Sequence, residues 1–518
     1  MLNNDFYMRK INLLSYIFLI TLVSACSVTR NGQDDGRIEL TLVQVNDVYE
    51  IAPLSGNVGG MARVASLKKQ YQQKNPNTML IMAGDFLSPS VYNSLSFEGK
   101  AIRGRQMVEA MNAAGMDLAI FGNHEFDIKE PELQSRLNES TFNWISTNTF
   151  HQTADGIQPF EKTTNGEAKP IPEYIIHTIS DADGTVARIG FIGITLPFNK
   201  AAYVSYTDPL SAATKMYAQL KDSVDAVVAI THQFMEDDRI LAEQLPQLAL
   251  IAGGHEHDMR YETINGVKIT KAHANARTAY VITLDINKKK SSIKSEANLV
   301  YLNESIPLDS ATNVVVEKWT NIADASFKNI GFDSKKIVLA KGESLDGRES
   351  EIRSRPTNLT WHIISAMQNA ATEADVVLLN AGSIRVDDII AMPVTQYDII
   401  RAMPFGGGIQ EVDMEGSLLK QILDQGEKNK GIGGYLLYNE QVKFDKKENK
   451  WTLKSSPIQD EAIYRVALSD FLLSGLESNL GFLNKQNPGI IKVYELPSSG
   501  PLSDIRLAII RYFENQPR

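Results

Sequence analysis

Residues 117–127 read DLAIFGNHEFD, an apolar run of strand length that ends in an asparagine, a histidine and a further acidic residue. Short apolar runs bounded by polar turn residues are typical of buried strands. Four more runs end in the same way, at Asp47, Asp85, His232 and His255. Side chains that bind metals or move protons therefore recur where predicted strands end.

Helical patterns lie between these strands. Residues 59–73 (GGMARVASLKKQYQQ) and 104–115 (GRQMVEAMNAAG) carry apolar residues at helical spacing. Residues 208–223 begin with Asp208 and Pro209, which are typical cap and first-turn residues. Alternating strands and helices indicate an α/β domain, and open α/β sheets gather their sites outside the carboxyl ends of the strands. We therefore expect the strand ends to form one site.

The composition is that of a folded globular protein. The chain has 518 residues, of which 43% are hydrophobic and 22% charged, and this length is enough for about two or three domains. The formal net charge is −10 and the lysines are scattered along the chain. This charge pattern argues against a nucleic-acid polymer as the partner, whereas a small anion held by local cations or metals remains compatible.

The first 26 residues are predicted to be an export signal and not part of the fold. Arg9 and Lys10 precede an apolar stretch, residues 11–23, that is too short and poorly flanked for a stable membrane span. Residues 23–26 (VSAC) resemble a bacterial lipobox, which predicts a lipid anchor at Cys26 and an exported, membrane-anchored lipoprotein facing the periplasm or cell surface. The alternative is a plain secretory signal. Because Cys26 is the only cysteine, no intrachain disulfide can form.

The side chains at the strand ends have the chemistry of a metal centre. Carboxylate, amide oxygen and imidazole together suit borderline divalent metals such as Mn, Zn, Co or Fe. Two such ions sharing a carboxylate are an arrangement used for in-line displacement at phosphorus. Any one motif is weak, because Gly-Asp is usually a turn and a lone histidine is usually structural. However, four of the eight histidines fall within the three loops GNHE, THQ and GHEH.

The ordered motifs ND, GD, GNHEFD, TH and GHEH resemble those of the calcineurin-like metallophosphoesterases. GGMARVASLKK, NAGSIR and MPFGGGIQEVDMEG further resemble the two-domain 5′-nucleotidase family, which includes periplasmic nucleotidases and UDP-sugar hydrolases. The resemblance covers roughly residues 38–510. It implies a metallophosphoesterase α/β/β/α sandwich over residues 38–303, a helical linker over 304–336 and an α+β substrate-binding domain over 337–518.

The resemblance also implies a centre of two divalent metal ions. Its ligands would be Asp47, Asp85, Asn123, His232, His255 and His257. In this family pattern Asp85 bridges the two ions. Asn123, His232 and His255 would complete one site, and Asp47 with His257 would serve the other.

Two residues of the GNHEFD motif are implied in catalysis. His124 would contact the negative charge that develops on the phosphoryl group, and Asp127 would orient its ring and keep it cationic. The alternative for Asp127 is a helix cap.

Tyr49 is a departure from the family pattern, which usually has histidine two residues after the first aspartate. The phenol could ligate a metal, as in the related purple acid phosphatases, or leave the position to water, or only pack over the site. His257, where nucleotidases often have glutamine, could restore an imidazole to the same metal. The sequence leaves these alternatives open.

The second half of the chain has a different pattern. Helical spacing recurs in residues 355–370, where the helix would begin at Thr357 or Asn358, and in residues 417–428. Residues 406–408 are three glycines with no Lys-Ser/Thr after them, so they predict a flexible loop and not a phosphate-binding P-loop.

In the family, this second domain binds the organic part of the substrate. The motifs imply a polar binding set and two base-stacking rings: Arg355, Asn380, Arg385, Glu477, Phe405 and Phe471. Without the resemblance, the two rings would be interpreted as core residues and Arg385 as a surface charge. Ser383 and Glu477 depart from the family motifs, which leaves the base or sugar preference open.

The leading hypothesis is therefore hydrolysis of 5′-nucleotides outside the cytoplasm, in nucleotide catabolism. Within the same class, the alternatives are UDP-sugars, 2′,3′-cyclic nucleotides or a sulfur-containing anion as substrate. From another class, the alternative is a catalytically weak, surface-displayed binding protein that has lost a metal ligand at Tyr49. Retention of His124 and Asp127 argues against that last alternative.

Overall fold

The computed structural model describes residues 34–198 and 201–516. The predicted export signal, including Cys26, lies outside the described residues. Within these ranges, the structure contains no helix with the length and apolar character needed to cross a membrane.

Twelve strands form the two main sheets of the first domain. They are β1 (Arg37–Val45), β2 (Thr78–Met82), β3 (Leu118–Ile120), β4 (Asn143–Ile145), β5 (Tyr174–Ser180), β6 (Val186–Thr195), β7 (Ala226–His232), β8 (Leu250–Gly254), β9 (Arg260–Ile264), β10 (Val267–Lys271), β11 (Thr278–Asn287) and β12 (Ser292–Tyr301).

The first sheet has the order β12-β11-β1-β2-β3-β4, and the second has the order β5-β6-β7-β8-β10-β9. The strands β1 to β4 run parallel, and so do β6, β7, β8 and β10, whereas the outer strands β5, β9, β11 and β12 pair antiparallel. The carboxyl ends of each parallel set therefore meet at one edge of its sheet.

The two sheets pack face to face through an apolar layer. Leu40 and Leu42 of β1 belong to the same buried cluster as Phe191 of β6 and Val228 of β7. Each such side chain contributes about 1.5 to 3 kcal/mol when it is fully buried. The near-continuous apolar runs in the sequence are explained by this burial, because helices cover the other face of the parallel strands.

Five helices cover the outer faces of these sheets: α1 (Met61–Gln72), α2 (Arg105–Ala114), α3 (Glu130–Glu139), α4 (Pro209–Leu220) and α5 (Met235–Gln244). The predicted start of α4 is confirmed, since the Asp208 carboxylate accepts a hydrogen bond from the Ser211 amide at 2.9 Å. The predicted end of α2 is also confirmed, because Gly115 adopts φ 71° there, a conformation that glycine reaches without strain. The predicted α/β sandwich is thus correct.

Shorter elements complete the first domain. They are the strand pairs Ser96–Phe97 with Lys100–Ala101 and Glu161–Thr164 with Glu167–Pro170, the three strands Thr149–Thr153, Gly156–Gln158 and Val204–Tyr206, and the 3₁₀ turns Val91–Ser94 and His124–Asp127.

The second domain is built on a mixed sheet with helices. Its strands are β13 (Val376–Asn380), β14 (Ile409–Glu415), β15 (Leu436–Tyr438), β16 (Ile463–Ser469) and β17 (Ile490–Val493), in the order β15-β13-β16-β14-β17. Smaller strands are Ile337–Leu339 with Val394–Thr395, Leu345–Asp346 with Ile389–Ile390, and Val442–Asp445 with Lys450–Leu453 and Ser456–Pro457.

The helices from the connector onward are α6 (Ser310–Asn329), α7 (Glu349–Ile352), α8 (Asn358–Ala370), α9 (Gln396–Ala402), α10 (Gly416–Lys428) and α11 (Ile505–Glu514), with a 3₁₀ turn at Ala381–Ser383. Thr357 is the cap of α8 and Asn358 is its first helical residue, so the helix begins at the predicted place.

Helix α6 joins the two domains by packing on both. Its Trp319 is fully buried and donates its indole N–H to Glu109 of α2 at 2.9 Å. Near its other end, Phe327 lies against Tyr397 of α9 with ring centroids 6.2 Å apart. One buried apolar cluster runs from α1 and α2 through α6 into α8, α9 and α11. The linker helix is therefore part of a shared core, which positions the second domain over the strand ends of the first.

Candidate metal centre and interdomain cleft

The predicted ligands lie where parallel strands end. Asp47 follows β1 and Asp85 follows β2, while His232 ends β7 and His255 follows β8 directly. Since β1 and β2 belong to one sheet and β7 and β8 to the other, the site lies at the shared edge of the two-layer core.

Four of these ligand positions have a strained backbone. Asp47, Asp85, His255 and His257 have φ values of 53°, 56°, 96° and 62°. Left-handed φ values are uncommon for residues with a Cβ atom and cluster at functional sites, where the surrounding structure enforces them. These left-handed residues lie just after the ends of β1, β2 and β8, where the chain leaves the sheets.

Two glycines are required by the close approach of the turns. A Cβ atom at Gly122 would lie 2.1 Å from Asp85 Oδ1, and one at Gly84 would lie 2.6 Å from His232 Nδ1. Gly84 also has φ 80°. The glycines of the GD and GNHE motifs therefore make room for the neighbouring ligands.

Three of the predicted ligands form a compact cluster. Asp47, Asp85 and His232 offer ligand atoms that all lie within 4.8 Å of one another, and all three side chains are buried. His232 Nε2 lies 3.1 Å from Asp85 Oδ2 and 3.8 Å from Asp47 Oδ1. His257 Nε2 lies 3.3 Å from the same oxygen, Asp47 Oδ1.

The donor set fits a divalent cation. Among the described residues, Asp47 Oδ1, Asn123 Oδ1 and His232 Nε2 are buried without a hydrogen-bond partner. Buried polar atoms are normally paired, and this open set of carboxylate oxygen, amide oxygen and imidazole nitrogen is the set that a borderline metal prefers. The Ala83 carbonyl accepts a hydrogen bond from His232 Nδ1 at 2.8 Å, which directs Nε2 toward the cluster.

The electrostatics of the cluster favour a cation. Burial lowers the pKa of His232, but Asp85 and Asp47 outweigh this effect and raise the pKa to about 9. For His255, burial and the neighbouring His232 lower the pKa to about 3. His255 is therefore neutral at pH 7, the form that ligates metals. Its ring packs on Phe234 with centroids 4.5 Å apart, and its amide donates to Asp47 Oδ2 at 2.9 Å.

The predicted pair of His124 and Asp127 is formed. His124 Nδ1 lies 2.7 Å from Asp127 Oδ2 on a single 3₁₀ turn, and both side chains are partly exposed. Burial lowers the pKa of His124, and Asp85 and Asp127 raise it above its ordinary value. The helix-cap alternative for Asp127 is wrong, because α3 begins three residues later, at Glu130.

Tyr49 touches two predicted ligands. Its phenol lies 3.3 Å from Asp85 Oδ2 and 3.0 Å from His257 Nε2, and the side chain is buried. Burial and the nearby Asp85 raise the pKa of Tyr49 well above its ordinary value, which favours the neutral phenol among these groups. Tyr49 is thus within hydrogen-bonding distance of Asp85 and His257.

Glu125 is a structural member of the site that sequence reasoning missed. Its fully buried carboxylate accepts hydrogen bonds from four backbone amides, those of Asp85, Phe86, Leu87 and Gly122. It thereby ties the loop after β2 to the loop after β3. Burial and Asp85 raise the pKa of Glu125 to about 7. The feature of the sequence that could have identified Glu125 is its position inside the GNHEFD motif.

Lys271 is a second residue that was missed. Its ammonium group is completely buried, 2.8 Å from Asp238 and 2.6 Å from Glu256, and it donates to the Gln233 carbonyl at 2.7 Å. Gln233 follows His232, and Glu256 lies between the two histidines of the GHEH motif. Lys271 therefore links the loop that follows His232 to the loop that carries His255 and His257. A lysine at the end of a strand pattern offered no signal for this role.

A cleft of about 920 Å³ opens above the cluster between the two domains. Its first-domain wall includes Asn123, His124 and Asp127, and its second-domain wall includes Arg353 and Arg385. This volume lies within the range of about 300 to 1,000 Å³ that is usual for small-molecule sites. The cleft can admit a ligand of nucleotide size between a carboxylate-imidazole floor and a second-domain wall that carries both arginines and carboxylates.

Of the two predicted arginines, Arg385 lines the cleft but Arg355 is directed elsewhere. The Arg355 side chain is 65% exposed and pairs with Glu351 at 2.5 Å, and it is not part of the cleft wall. Arg353, two residues earlier, lines the cleft instead. Burial and the neighbouring Arg385 lower the pKa of Arg353 to about 10, so it stays cationic at neutral pH.

The other predicted substrate residues lie on the second domain away from the cleft wall. Asn380 donates to the Glu477 carboxylate and accepts from the Ser383 hydroxyl at 2.6 Å. Phe405 is 72% exposed and Phe471 is 43% exposed, so the core interpretation of these rings is wrong.

The loops that carry the two rings are joined. The Asp470 carboxylate accepts from the Gly408 amide, and the Asp470 amide donates to the Gly408 carbonyl, both at 3.0 Å. The rings therefore project from neighbouring positions at one end of β14 and β16.

Comparisons with known proteins agree with this architecture. Residues 40–259 match the family described as calcineurin-like phosphoesterase, and residues 336–482 match the 5′-nucleotidase, C-terminal domain. The chain is 25% identical over 501 residues to the 5′-nucleotidase of Bos taurus, covering 84% of this chain and 83% of that protein. It is 25% identical over 504 residues to the 5′-nucleotidase of Homo sapiens, covering 85% and 84%.

A solved structure has the same fold. The 5′-nucleotidase precursor from Thermus thermophilus superposes with a TM-score of 0.66 at 21% identity, covering 92% of this chain and 96% of that one. Because both domain families match in this order and the curated relatives align along both, the chain belongs to the two-domain 5′-nucleotidase family and is a phosphoric ester hydrolase of the metallophosphoesterase type.

Proposed function

We propose that this protein hydrolyses 5′-nucleotides to nucleosides and phosphate at a centre of two divalent metal ions. The observation that carries the proposal is the open donor set of Asp47, Asn123 and His232, which lies beside the pair of His124 and Asp127. UDP-sugars and 2′,3′-cyclic nucleotides remain the alternative substrates. The binding-protein alternative is set aside because the chain belongs to a hydrolase family.

The metal ligands proposed are Asp47, Asp85, Asn123, His232, His255 and His257, with Asp85 shared between the two ions. Mn, Zn, Co and Fe all suit this donor set. When bound, such ions act as Lewis acids on phosphoryl oxygens and make water nucleophilic at neutral pH. In this proposal the Tyr49 phenol, 3.3 Å from Asp85 Oδ2, helps to position the shared carboxylate.

The protein side chains have separate tasks around the phosphoryl group. His124, whose pKa is lowered by burial but raised overall by Asp85 and Asp127, stabilises the equatorial oxygens in the transition state. Asp127 accepts the Nδ1–H hydrogen bond, which fixes the ring and leaves Nε2 for the substrate. Arg353 and Arg385 neutralise the substrate anion from the opposite wall of the cleft.

The second domain holds the nucleoside in this proposal. Phe405 and Phe471 stack on the base, and each stacking contact is worth about 1 to 3 kcal/mol with little base selectivity. Asn380 donates a hydrogen bond to Glu477 in this structure. When a nucleotide binds, both side chains instead form hydrogen bonds with the ribose hydroxyls. We assign Arg353 to the phosphate side of the site in place of Arg355, because Arg353, although paired with Glu349, lines the cleft and Arg355 does not.

Phosphate release from a substrate panel tests this function. The purified full chain is expected to release phosphate from nucleoside 5′-monophosphates with all common bases, and a chelator followed by Mn²⁺, Zn²⁺ or Co²⁺ should abolish and restore the activity. The panel includes a 2′,3′-cyclic nucleotide and a UDP-sugar at equal concentration. A higher kcat/KM for either of these than for every 5′-monophosphate would contradict the proposed substrate class.

We also propose that the protein is exported and anchored to a membrane through a lipid on Cys26. The lipobox-like residues 23–26 support this location. Full-length protein expressed in a bacterium is expected to partition with membranes, and Cys26→Ser is expected to release it or to leave the signal unprocessed. Fractionation with immunoblotting measures both outcomes. Unchanged membrane association of Cys26→Ser would contradict the lipid anchor.

A further inference from the structure

Asp387 of the second domain contacts a proposed metal ligand of the first. Its Oδ2 lies 3.0 Å from His257 Nδ1, and its backbone carbonyl oxygen lies 3.1 Å from the same nitrogen. Both partners are acceptors, so Nδ1 carries the hydrogen and donates it to Asp387. The other ring nitrogen, Nε2, is thereby left to face Asp47 and Tyr49.

The Asp387 carboxylate is itself held in place. Its Oδ1 accepts a hydrogen bond from the Glu349 amide at 2.5 Å, at the start of α7. Its backbone has φ 36°, a strained value for a residue with a Cβ atom. Both carboxylate oxygens are therefore used, one inside the second domain and one across the domain boundary.

The neighbouring residue makes a second contact between the domains. Asp388 Oδ2 lies 2.8 Å from a terminal nitrogen of Arg277, and the same arginine nitrogen donates to the Ile389 carbonyl at 2.8 Å. Arg385, which lines the cleft, precedes these residues on the same loop. The loop of residues 385–389 thus combines a cleft-facing cation with two contacts to the first domain.

We propose that Asp387 is a positioning residue through which the second domain orients His257 for metal binding. This inference rests on the proposed function, because it takes His257 as a ligand. Histidine ligands commonly donate their second ring N–H to a carboxylate, which fixes the tautomer and strengthens the ligand. Here that carboxylate belongs to the other domain. The hydrogen bond that orients His257 therefore forms only when the two domains are docked as in this structure.

Metal affinity of the purified full chain tests the role directly. Asp387→Asn removes the charge but tolerates the positive φ, and Asp387→Gly removes the carboxylate at no cost in φ. Competition between protein and a chelating dye for Co²⁺ or Mn²⁺ is expected to show one of two ions bound about 10- to 100-fold more weakly in both variants. Wild-type affinity for both ions in both variants would overturn the inference.

Asp388→Asn is the matched control. It removes the ion pair with Arg277 but does not touch His257. Its metal affinity is expected to equal that of the wild type. An equal loss of metal affinity in Asp388→Asn and Asp387→Asn would mean that the contacts between the domains as a whole support metal binding. That result would overturn the specific role of Asp387.

A double-mutant cycle separates this inference from the proposed function. If Asp387 acts through His257, Asp387→Asn has no further effect on metal affinity in a His257→Ala protein. An undiminished effect in that background overturns the inference alone, while the proposed metal centre stands. If His257→Ala itself loses no metal, the assignment of His257 as a ligand is wrong and the inference about Asp387 fails, while the proposed hydrolysis is tested separately by phosphate release.

Discussion

Asp85→Asn is expected to bind both metal ions far more weakly than the wild type and to lose nearly all phosphatase activity. The substitution preserves shape but removes the charge of the carboxylate proposed to be shared by the two ions. Loss of an outer-sphere partner already costs about 10- to 100-fold in metal affinity, so loss of a shared ligand should exceed that range. Elemental analysis and dye competition measure metal content and affinity.

The structure explains why this position is sensitive. Asp85 Oδ2 lies 3.1 Å from His232 Nε2, and Oδ1 accepts a hydrogen bond from the His124 amide at 2.8 Å. One carboxylate therefore touches both the proposed metal cluster and the turn that carries the proposed transition-state contact. Asp155→Asn, on an exposed turn of the first domain, is the control. Wild-type metal content in Asp85→Asn would exclude Asp85 as a shared ligand.

His124→Ala is expected to lower kcat by about 100-fold or more while both metal ions stay bound. The reason is that His124 lies outside the buried Asp47, Asp85 and His232 cluster and pairs instead with Asp127. The variant therefore removes a contact made to the developing charge and leaves the ligands intact. Steady-state kinetics at saturating metal, together with metal content, measure the two effects separately.

Two companion variants make the His124 result specific. Asp127→Asn should lower kcat less than His124→Ala and add nothing in the double variant, because Asp127 acts through the His124 ring. His151→Ala is the control, since His151 pairs with Glu130 and stacks on Phe160 away from the cleft. Full activity of His124→Ala, or loss of metal from it, would contradict the assigned role.

Much of the fold was predictable from local patterns. The run before Asp47 is a buried strand, and Asp208 with Pro209 begins a helix as expected, because periodicity and capping depend on nearby residues. The motif order placed Asp47, Asp85 and His232 in one cluster. These features depend on chain neighbours and on the rule that parallel strands end at a common edge.

Other features had no local signal. Arg353 and Arg355 are two residues apart in an irregular segment after α7, so no periodicity distinguishes the one that faces the cleft. Phenylalanine is usually a core residue, so the sequence favours burial of Phe405 and Phe471. Their exposed positions in the structure identify them as surface rings. Glu125 is significant because it accepts hydrogen bonds from four amides on two loops, an arrangement that exists only after the sheet has formed.

The sequence by itself determined the alternation of strands and helices, the chemistry of the ligands and their places at strand ends, since each of these depends on residues that are close along the chain. Tertiary structure decided which groups meet across the domain boundary. His257 and Asp387 are 130 residues apart, and their contact depends on α6 packing the second domain against the first. Such a contact is set by the burial of a shared apolar core and the geometry of docking, for which neither residue carries a local pattern.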